Sequence, residues 1–178
     1  KQFLKEASLA GKLNHPHIAS ILDAVVTDDA GYIVMEYVPG VNLSKYTDVN
    51  SLLPAEDAVQ IGFKCCGALD YAFRQGVIHR DIKPANIMIA GGGEVKITDF
   101  GAAFLQNRDA TQPVNIGSPA YMSPEQVSSK PLTHATDMYC LGVVLYELLT
   151  GKRPFAADNI TELIHKIVHE DPLPPSRL

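Results

Sequence analysis

Between Val77 and Asn86 the chain reads VIHRDIKPAN, and Thr98-Asp99-Phe100-Gly101 follows after a short interval. The side-chain types in these two runs suit phosphoryl transfer to a hydroxyl. That reaction needs a group to accept or orient the hydroxyl proton, cations to neutralise the phosphate oxygens, and a rigid frame. Asn86 and Asp99 carry hard oxygen donors of the kind Mg²⁺ prefers. Asp81 adds a carboxylate, and Lys83, two residues on, an ammonium. Asp and Asn are also common turn formers, which accounts for any one of these positions but not for their joint spacing. His79, judged on residue type alone, is a candidate general base. His165 and His169 lie four apart on a predicted helix with Glu170 beside them, a spacing that can bind a metal. Lys166 follows His165, so HExxH is not present and a solvated helix face is the better reading.

Two parts of the chain must position these groups. The first opens with a helical pattern over Phe3 to Leu13, ended by Asn14-His15-Pro16 because Pro disfavours helix in the residue before it. β-type runs follow at Ile18 to Val26 and Tyr32 to Tyr37, around the turn residues Asp28-Asp29-Ala30-Gly31. A helix and a hairpin are too little to bury a core alone. In the second part, Pro54 with Glu56 and Asp57 marks a helix start. Ala58, Ile61, Cys65, Leu69, Ala72 and Phe73 share one face, and Gln75-Gly76 ends the helix. A hairpin pairs Ile87 to Ala90 with Val95 to Thr98, with the triple glycine 91–93 as its turn and not a phosphate loop, since a strand follows it. The stretch from Phe100 to Pro131 has no periodicity, and a loop of that length points to function. Ala135 to Thr150 is apolar almost all round apart from Asp137 and Glu147, which predicts a buried central helix closed by Gly151. A last amphipathic helix runs from about Ile160 to Glu170, with Asn159 and Glu162 spaced as a capping box.

Composition excludes several classes. With 178 residues, 46% hydrophobic and 20% charged, the chain is ordinary globular material and too apolar to be disordered. A net charge of −5 argues against a nucleic-acid stripe or a polybasic membrane anchor. Cys65, Cys66 and Cys140 form no CxxC pair, which fits a reducing compartment and thiols serving as small buried hydrophobes. The longest apolar stretch, Met138 to Leu149, is too short to span a bilayer and is interrupted by Glu147.

The two opening runs, in their order, closely resemble the catalytic loop and metal-binding turn of protein kinases. HRDxKPxN resembles the serine/threonine kinases more than the tyrosine kinases, and Gly117-Ser118-Pro119-Ala120-Tyr121-Met122-Ser123-Pro124-Glu125 resembles the close of the activation segment in eukaryotic-like, bacterial-type members, with Ser118 in place of the usual Thr. The resemblance implies Asp81 as proton acceptor, Lys83 aimed at the transferred phosphate, and Asn86 and Asp99 as Mg²⁺ ligands. It implies that His79 is structural and stacks near Phe100, and that Asp137 holds the catalytic-loop backbone. Arg80 would capture a phosphate placed on the activation segment, at Thr111. Glu125 would pair with an Arg late in the large lobe, and Glu6 with the Lys that positions ATP. Met35-Glu36-Tyr37-Val38 resembles the hinge that binds adenine through its backbone, with Met35 as gatekeeper and Met88 beneath the ring.

The fold so implied is α+β, a protein kinase-like two-lobe fold. Residues 1–38 would form a partial small lobe with the hinge at 36–38, and residues 39–178 a partial, mainly helical large lobe. The family's glycine-rich loop and lysine-bearing strand are not found in these 178 residues, and Lys1 and Lys5 cannot stand in for that lysine. The expectation is a catalytic domain truncated at both ends. Its parent would transfer the γ-phosphate of ATP, with Mg²⁺, to Ser or Thr of protein substrates, and the segment alone would be inactive. A rival is a pseudokinase-like interaction or scaffolding module, which intact Asp81, Lys83, Asn86 and Asp99 oppose. Self-association for autophosphorylation, no nucleic-acid partner, no membrane contact within the segment and a cytoplasmic location complete the expectations.

Overall fold

Small and aliphatic residues at helical spacing build the scaffold. Ala58, Ile61, Cys65, Ala68, Leu69 and Ala72 all lie buried on one side of α1 (Ala55–Arg74), the stripe expected of a helix that packs on a core. A computed structural model describes residues 10–26, 31–100 and 119–178. Within them, β1 (Ile21–Val26) and β2 (Gly31–Met35) form an antiparallel pair, with Ile21 opposite Met35. A second antiparallel sheet has the order β3 (Gly40–Asn42), β4 (Ile87–Ala90), β5 (Glu94–Ile97). The main helices after it are the short α2 (Pro124–Val127), the central α3 (His134–Thr150) and α4 (Ile160–His169).

The core is a sandwich of α1 between α3 and the β4–β5 hairpin. Cys140, Leu141, Val144 and Leu148 of α3 and Ile87, Val95 and Ile97 of the hairpin share one buried cluster with the α1 stripe. Each fully buried Leu, Ile or Val among them contributes roughly 1.5–3 kcal/mol. Ala10, Leu13 and Ile18 join the cluster from the N-terminal side. A satellite core of Ala120, Phe155, Leu163 and Ile167 seats α4. Helix α3 is delimited by its own sequence: the Thr133 side chain accepts from the Ala135 N–H at its start, and Gly151, at φ 69°, turns left-handed at its end.

Several expectations need correction. The first strand starts at Ile21, not Ile18, because Ile18 makes an isolated parallel bridge to Ile97, with the Ala19 N–H donating to Ile97 O at 2.9 Å. The second strand stops at Met35, since the Glu36 N–H turns to donate to Ser20 O at 2.8 Å. Phe73 is exposed rather than on the buried face and packs its ring on His134, 4.6 Å between centroids. Cys66 is only half-buried, unlike Cys65 and Cys140. The stretch 100–131 contains a 3-10 turn at Pro119–Tyr121 and α2. Asn159 caps α4 by accepting from the Glu162 N–H at 2.9 Å, which is half of the expected capping box. Strand β3 was not anticipated. Its Gly40 lies so close to β4 that an added Cβ would sit 2.0 Å from Ile89 O, so only glycine fits. Of the predicted first helix, residues 3–9 lie outside the described residues, as does the turn at 27–30.

Candidate active site

The loop after α1 is pinned from the first turn of α3. The His79 N–H donates to Asp137 Oδ2 at 2.7 Å and the Arg80 N–H to Asp137 Oδ1 at 2.8 Å. Burial pushes the Asp137 carboxyl above the usual carboxylate range, while nearby positive charge and these two backbone donors pull the other way. Arg80 sits at φ 70°, in the left-handed region that non-glycine residues rarely occupy. Such a conformation costs about 1–3 kcal/mol and persists only where surrounding contacts fix it. Asp137 is one such contact.

His79 is fully buried, and both ring nitrogens are engaged. Nδ1 accepts from the Asp81 N–H at 3.2 Å, so the ring carries its proton on Nε2 and donates it to Thr98 O at 2.8 Å. No nitrogen is left for base catalysis. Phe100 meets the same ring edge-on, with centroids 4.6 Å apart. His79 thereby joins the Asp81 loop to the strand end that bears Asp99.

Two polar side chains converge on one carboxylate. Lys83 Nζ lies 2.7 Å from Asp81 Oδ2, and Asn86 Nδ2 donates to the same oxygen at 3.0 Å and to Asp81 O at 2.8 Å. Lys83 thus rests against Asp81. Because both Asn86 bonds use its amide nitrogen, its Oδ1 faces away from Asp81. Thr98 ties Asn86 to Asp99: its N–H donates to Asn86 O at 2.9 Å, and its hydroxyl lies 3.3 Å from that oxygen and 3.2 Å from Asp99 Oδ2. Asp99 itself is left-handed, φ 62°. Among the described residues no group of three or more His, Cys, Asp or Glu could hold a metal by itself. A pair of protein oxygens from Asn86 and Asp99 instead matches Mg²⁺, which is commonly held by one or two side chains plus phosphate oxygens and water.

On the other side, the segment after β2 is fixed by its acid. Glu36 Oε1 lies 2.6 Å from Lys96 Nζ of β5, and Oε2 accepts from the Ser20 N–H at 3.1 Å. The Lys96 hydrogen bond, followed by the Ser20 donor, holds the Glu36 carboxyl below its usual range against a small opposing effect of burial. Met88 stands opposite Lys96 in the β4–β5 register, so Met88 and Glu36 flank one lysine. Met35 is half-buried and Val38 buried. Among the described residues the Glu36 carbonyl and the Val38 N–H have no partner, leaving an acceptor and a donor that could meet the edge of a heterocycle.

The end of the 100–131 stretch docks on α3. Glu125 is half-buried and accepts from the Thr136 hydroxyl at 2.6 Å. Burial opposes ionisation there, but the Thr136 bond, local donors and Lys130 outweigh it, and the Glu125 carboxyl lies below its usual range. Tyr121 donates to Glu147 Oε2 at 2.7 Å, Arg153 Nε donates to Glu147 Oε1 at 3.1 Å, and the Arg153 guanidinium stands 5.2 Å from the Tyr121 ring centroid. Burial, then the Glu147 contact, pushes the Tyr121 hydroxyl up to about 12. The buried Glu147 is thus satisfied from both sides.

Of the residues singled out from sequence, Asp81, Lys83, Asn86, Asp99, His79, Phe100, Arg80 and Asp137 come together, while Glu36 and Met88 both meet Lys96 and Met35 and Val38 lie beside Glu36 in the chain. Glu6, Thr111 and Ser118 lie outside the described residues. Sequence reasoning missed Lys96, Thr136 and Gln126. Gln126 Nε2 donates to Arg80 O at 2.7 Å, and only the Ser123-x-x-Gln126 capping spacing could have drawn notice to it.

A family model described as the protein kinase domain matches residues 1–174. The chain is 40% identical over 180 residues to a probable serine/threonine-protein kinase of Clostridium perfringens, covering 100% of this chain and 26% of that protein. It is 40% identical over 183 residues to the serine/threonine-protein kinase PknB of Mycobacterium leprae, covering 99% of this chain and 29% of that one. PknB of Mycobacterium tuberculosis is likewise 40% identical over 183 residues, with 98% and 29% covered. The chain therefore spans less than a third of the length of these curated relatives.

Proposed function

The chain belongs to the protein kinase family, and from that premise we propose that the protein transfers the γ-phosphoryl group of ATP to Ser or Thr hydroxyls of protein substrates. The observation that carries this is the meeting of Lys83 and Asn86 on one oxygen of Asp81. Oδ1 of Asp81 has no partner among the described residues and is the atom that would take or orient the hydroxyl proton. Lys83, 2.7 Å from the other oxygen, would swing its ammonium to the transferred phosphate. Asn86 Oδ1 and Asp99 would hold Mg²⁺, which when bound neutralises phosphate charge. The Glu36 carbonyl and Val38 N–H would meet adenine, with Met35 and Met88 enclosing it and Glu6 serving the phosphate end. That the named relatives are serine/threonine-protein kinases supports the choice of hydroxyl.

We place the lobe boundary at residues 38 and 39, and regulation in the segment after Asp99. A phosphate at Thr111, with Ser118 at the segment's close, would be read by Arg80, and copies of the protein would supply it to one another by self-association. No described helix is long and apolar enough to cross a membrane, and reduced thiols with ATP chemistry favour the cytoplasm. The 178 residues by themselves contain no glycine-rich loop to cover the phosphates, and positioning of reactants contributes roughly 7–11 kcal/mol to such catalysis, so this segment assayed alone should turn over little substrate.

The test is transfer of labelled γ-phosphate by the full-length protein with and without Mg²⁺, and by its Asp81→Asn variant. The variant should be slower by roughly 10²–10⁴-fold, the usual weight of a positioned acid or base. An unimpaired Asp81→Asn protein would overturn the proposal.

A further inference from the structure

The catalytic-loop peptide between Arg80 and Asp81 is gripped at both ends. Its N–H, that of Asp81, donates to His79 Nδ1. Its carbonyl, that of Arg80, accepts from Gln126 Nε2 at 2.7 Å, the shortest of the bonds that this amide makes. The preceding peptide is held by Asp137 through the Arg80 N–H. Arg80 is left-handed, so the plane of the 80–81 peptide sets the direction in which Asp81 leaves the loop, and rotation toward the commoner right-handed conformation would turn the Asp81 carboxylate away from Lys83 and Asn86. Within the loop itself, His79 and Asp137 bond N–H groups alone. Among the described residues, Gln126 is the side chain that bonds the carbonyl side of that peptide.

Gln126 is itself fixed. Its Oε1 accepts from the Ser123 N–H at 2.9 Å and from the Cys140 thiol at 3.3 Å, and its own N–H donates to Ser123 Oγ at 3.3 Å. The amide therefore cannot flip without placing an N–H against another N–H, and its Nε2 is directed at Arg80 O by contacts that have no part in phosphoryl transfer. Helix α2, which starts directly after Ser123, thus reaches back across the loop that carries the proposed base.

We propose that Gln126 is a positioning residue for Asp81, holding the strained Arg80–Asp81 peptide in register and linking the close of the 100–131 stretch to the catalytic loop. This rests on the kinase reading of Asp81. Its role as a cap and its role toward Arg80 are separable, because a glutamate is the usual partner of a serine in a capping box. Gln126→Glu keeps the acceptor for the Ser123 N–H and the length of the side chain, yet loses the donor to Arg80 O at a pH where the carboxylate is ionised. Ser123→Ala does the reverse: it weakens the cap and leaves the amide facing Arg80.

The experiment compares the full-length protein with Gln126→Glu and Ser123→Ala at pH 8. Three quantities are followed: kcat and KM for ATP, the melting temperature, and amide exchange at Arg80 and Asp81. Gln126→Glu should lower kcat by roughly 10–100-fold, the scale of a misplacement of about 1 Å, leave KM for ATP within about twofold, and speed exchange at Asp81. Ser123→Ala should lower the melting temperature and keep kcat within about twofold of the parent. Wild-type kcat and exchange in Gln126→Glu, or an equal loss of kcat in Ser123→Ala, would reduce Gln126 to a helix cap and overturn the inference. Should the parent protein transfer no phosphate, the kinase reading fails, and exchange at Asp81 alone decides whether Gln126 holds the peptide.

Discussion

Replacing Asp137 by Ala removes the one side chain that accepts from both the His79 and Arg80 N–H groups, at 2.7 and 2.8 Å. Each of these is a hydrogen bond to a charged acceptor, worth about 1.5–3 kcal/mol, so the pair sets a loss of roughly 3–6 kcal/mol. Part of this is returned, because Asp137 is buried and its ionised form is itself disfavoured there. For a domain of this size each kcal/mol moves the melting temperature by roughly 2–4 °C, and a drop of roughly 10 °C is expected. Asp137→Asn keeps one acceptor oxygen and turns its NH₂ toward the second donor, so its loss should be at least half as large. Both variants release Arg80 from its left-handed conformation, and kcat should fall further than stability alone accounts for at temperatures well below the melt. The assay is thermal unfolding of the full-length protein, paired with labelled phosphate transfer at 20 °C below the variant's midpoint. An Asp137→Ala protein that melts within about 2 °C of the parent and keeps its kcat would refute the reasoning, because it would mean that the two backbone donors find other partners at no cost.

Other expectations are smaller in scale. The Glu36 carboxyl is depressed in the folded state, so its contribution is present above the ordinary value of 4.5 and lost as pH falls through the folded value. The gap in melting temperature between the parent and Glu36→Gln should therefore be widest near neutral pH and close on acidification, and a gap constant with pH would show that Lys96 and Ser20 do not favour the charged form. Tyr121→Phe leaves Glu147 Oε2 without its donor and should cost about 1–3 kcal/mol in urea unfolding; no loss would mean that Arg153 alone satisfies that acid. If Thr111→Ala leaves the full-length protein's activity and its self-phosphorylation pattern unchanged, the proposed gate through Arg80 is absent.

Where local chemistry decides an element, the sequence was enough to find it. Helix α1 announces itself by the spacing of Ala58, Ile61, Cys65, Leu69 and Ala72, α3 by an apolar run ending at Gly151, and the β4–β5 hairpin by its triple glycine. The joint spacing of Asp81, Lys83, Asn86 and Asp99 pointed to one site, and the loop does bring them together. What escaped depends on partners distant in the chain. The three residues of β3 show no alternation and are a strand only because β4 lies beside them. Ile18 leaves its strand because Ile97 offers it a different neighbour. Phe73 fits the helical period of the buried face but remains exposed, with the His134 ring packed on it. Lys96, Thr136 and Gln126 are ordinary polar residues whose roles exist only once Glu36, Glu125 and Arg80 are folded against them.

The central claim is that Asp81 directs phosphate from ATP to an aliphatic hydroxyl, and it is tested most directly by the identity of the product. Full-length protein incubated with Mg²⁺ and γ-labelled ATP, then hydrolysed in acid, should yield labelled phosphoserine or phosphothreonine, and the Asp81→Asn variant should yield neither above background. Label recovered only as phosphotyrosine, or in equal amount from the Asp81→Asn variant, would contradict the account.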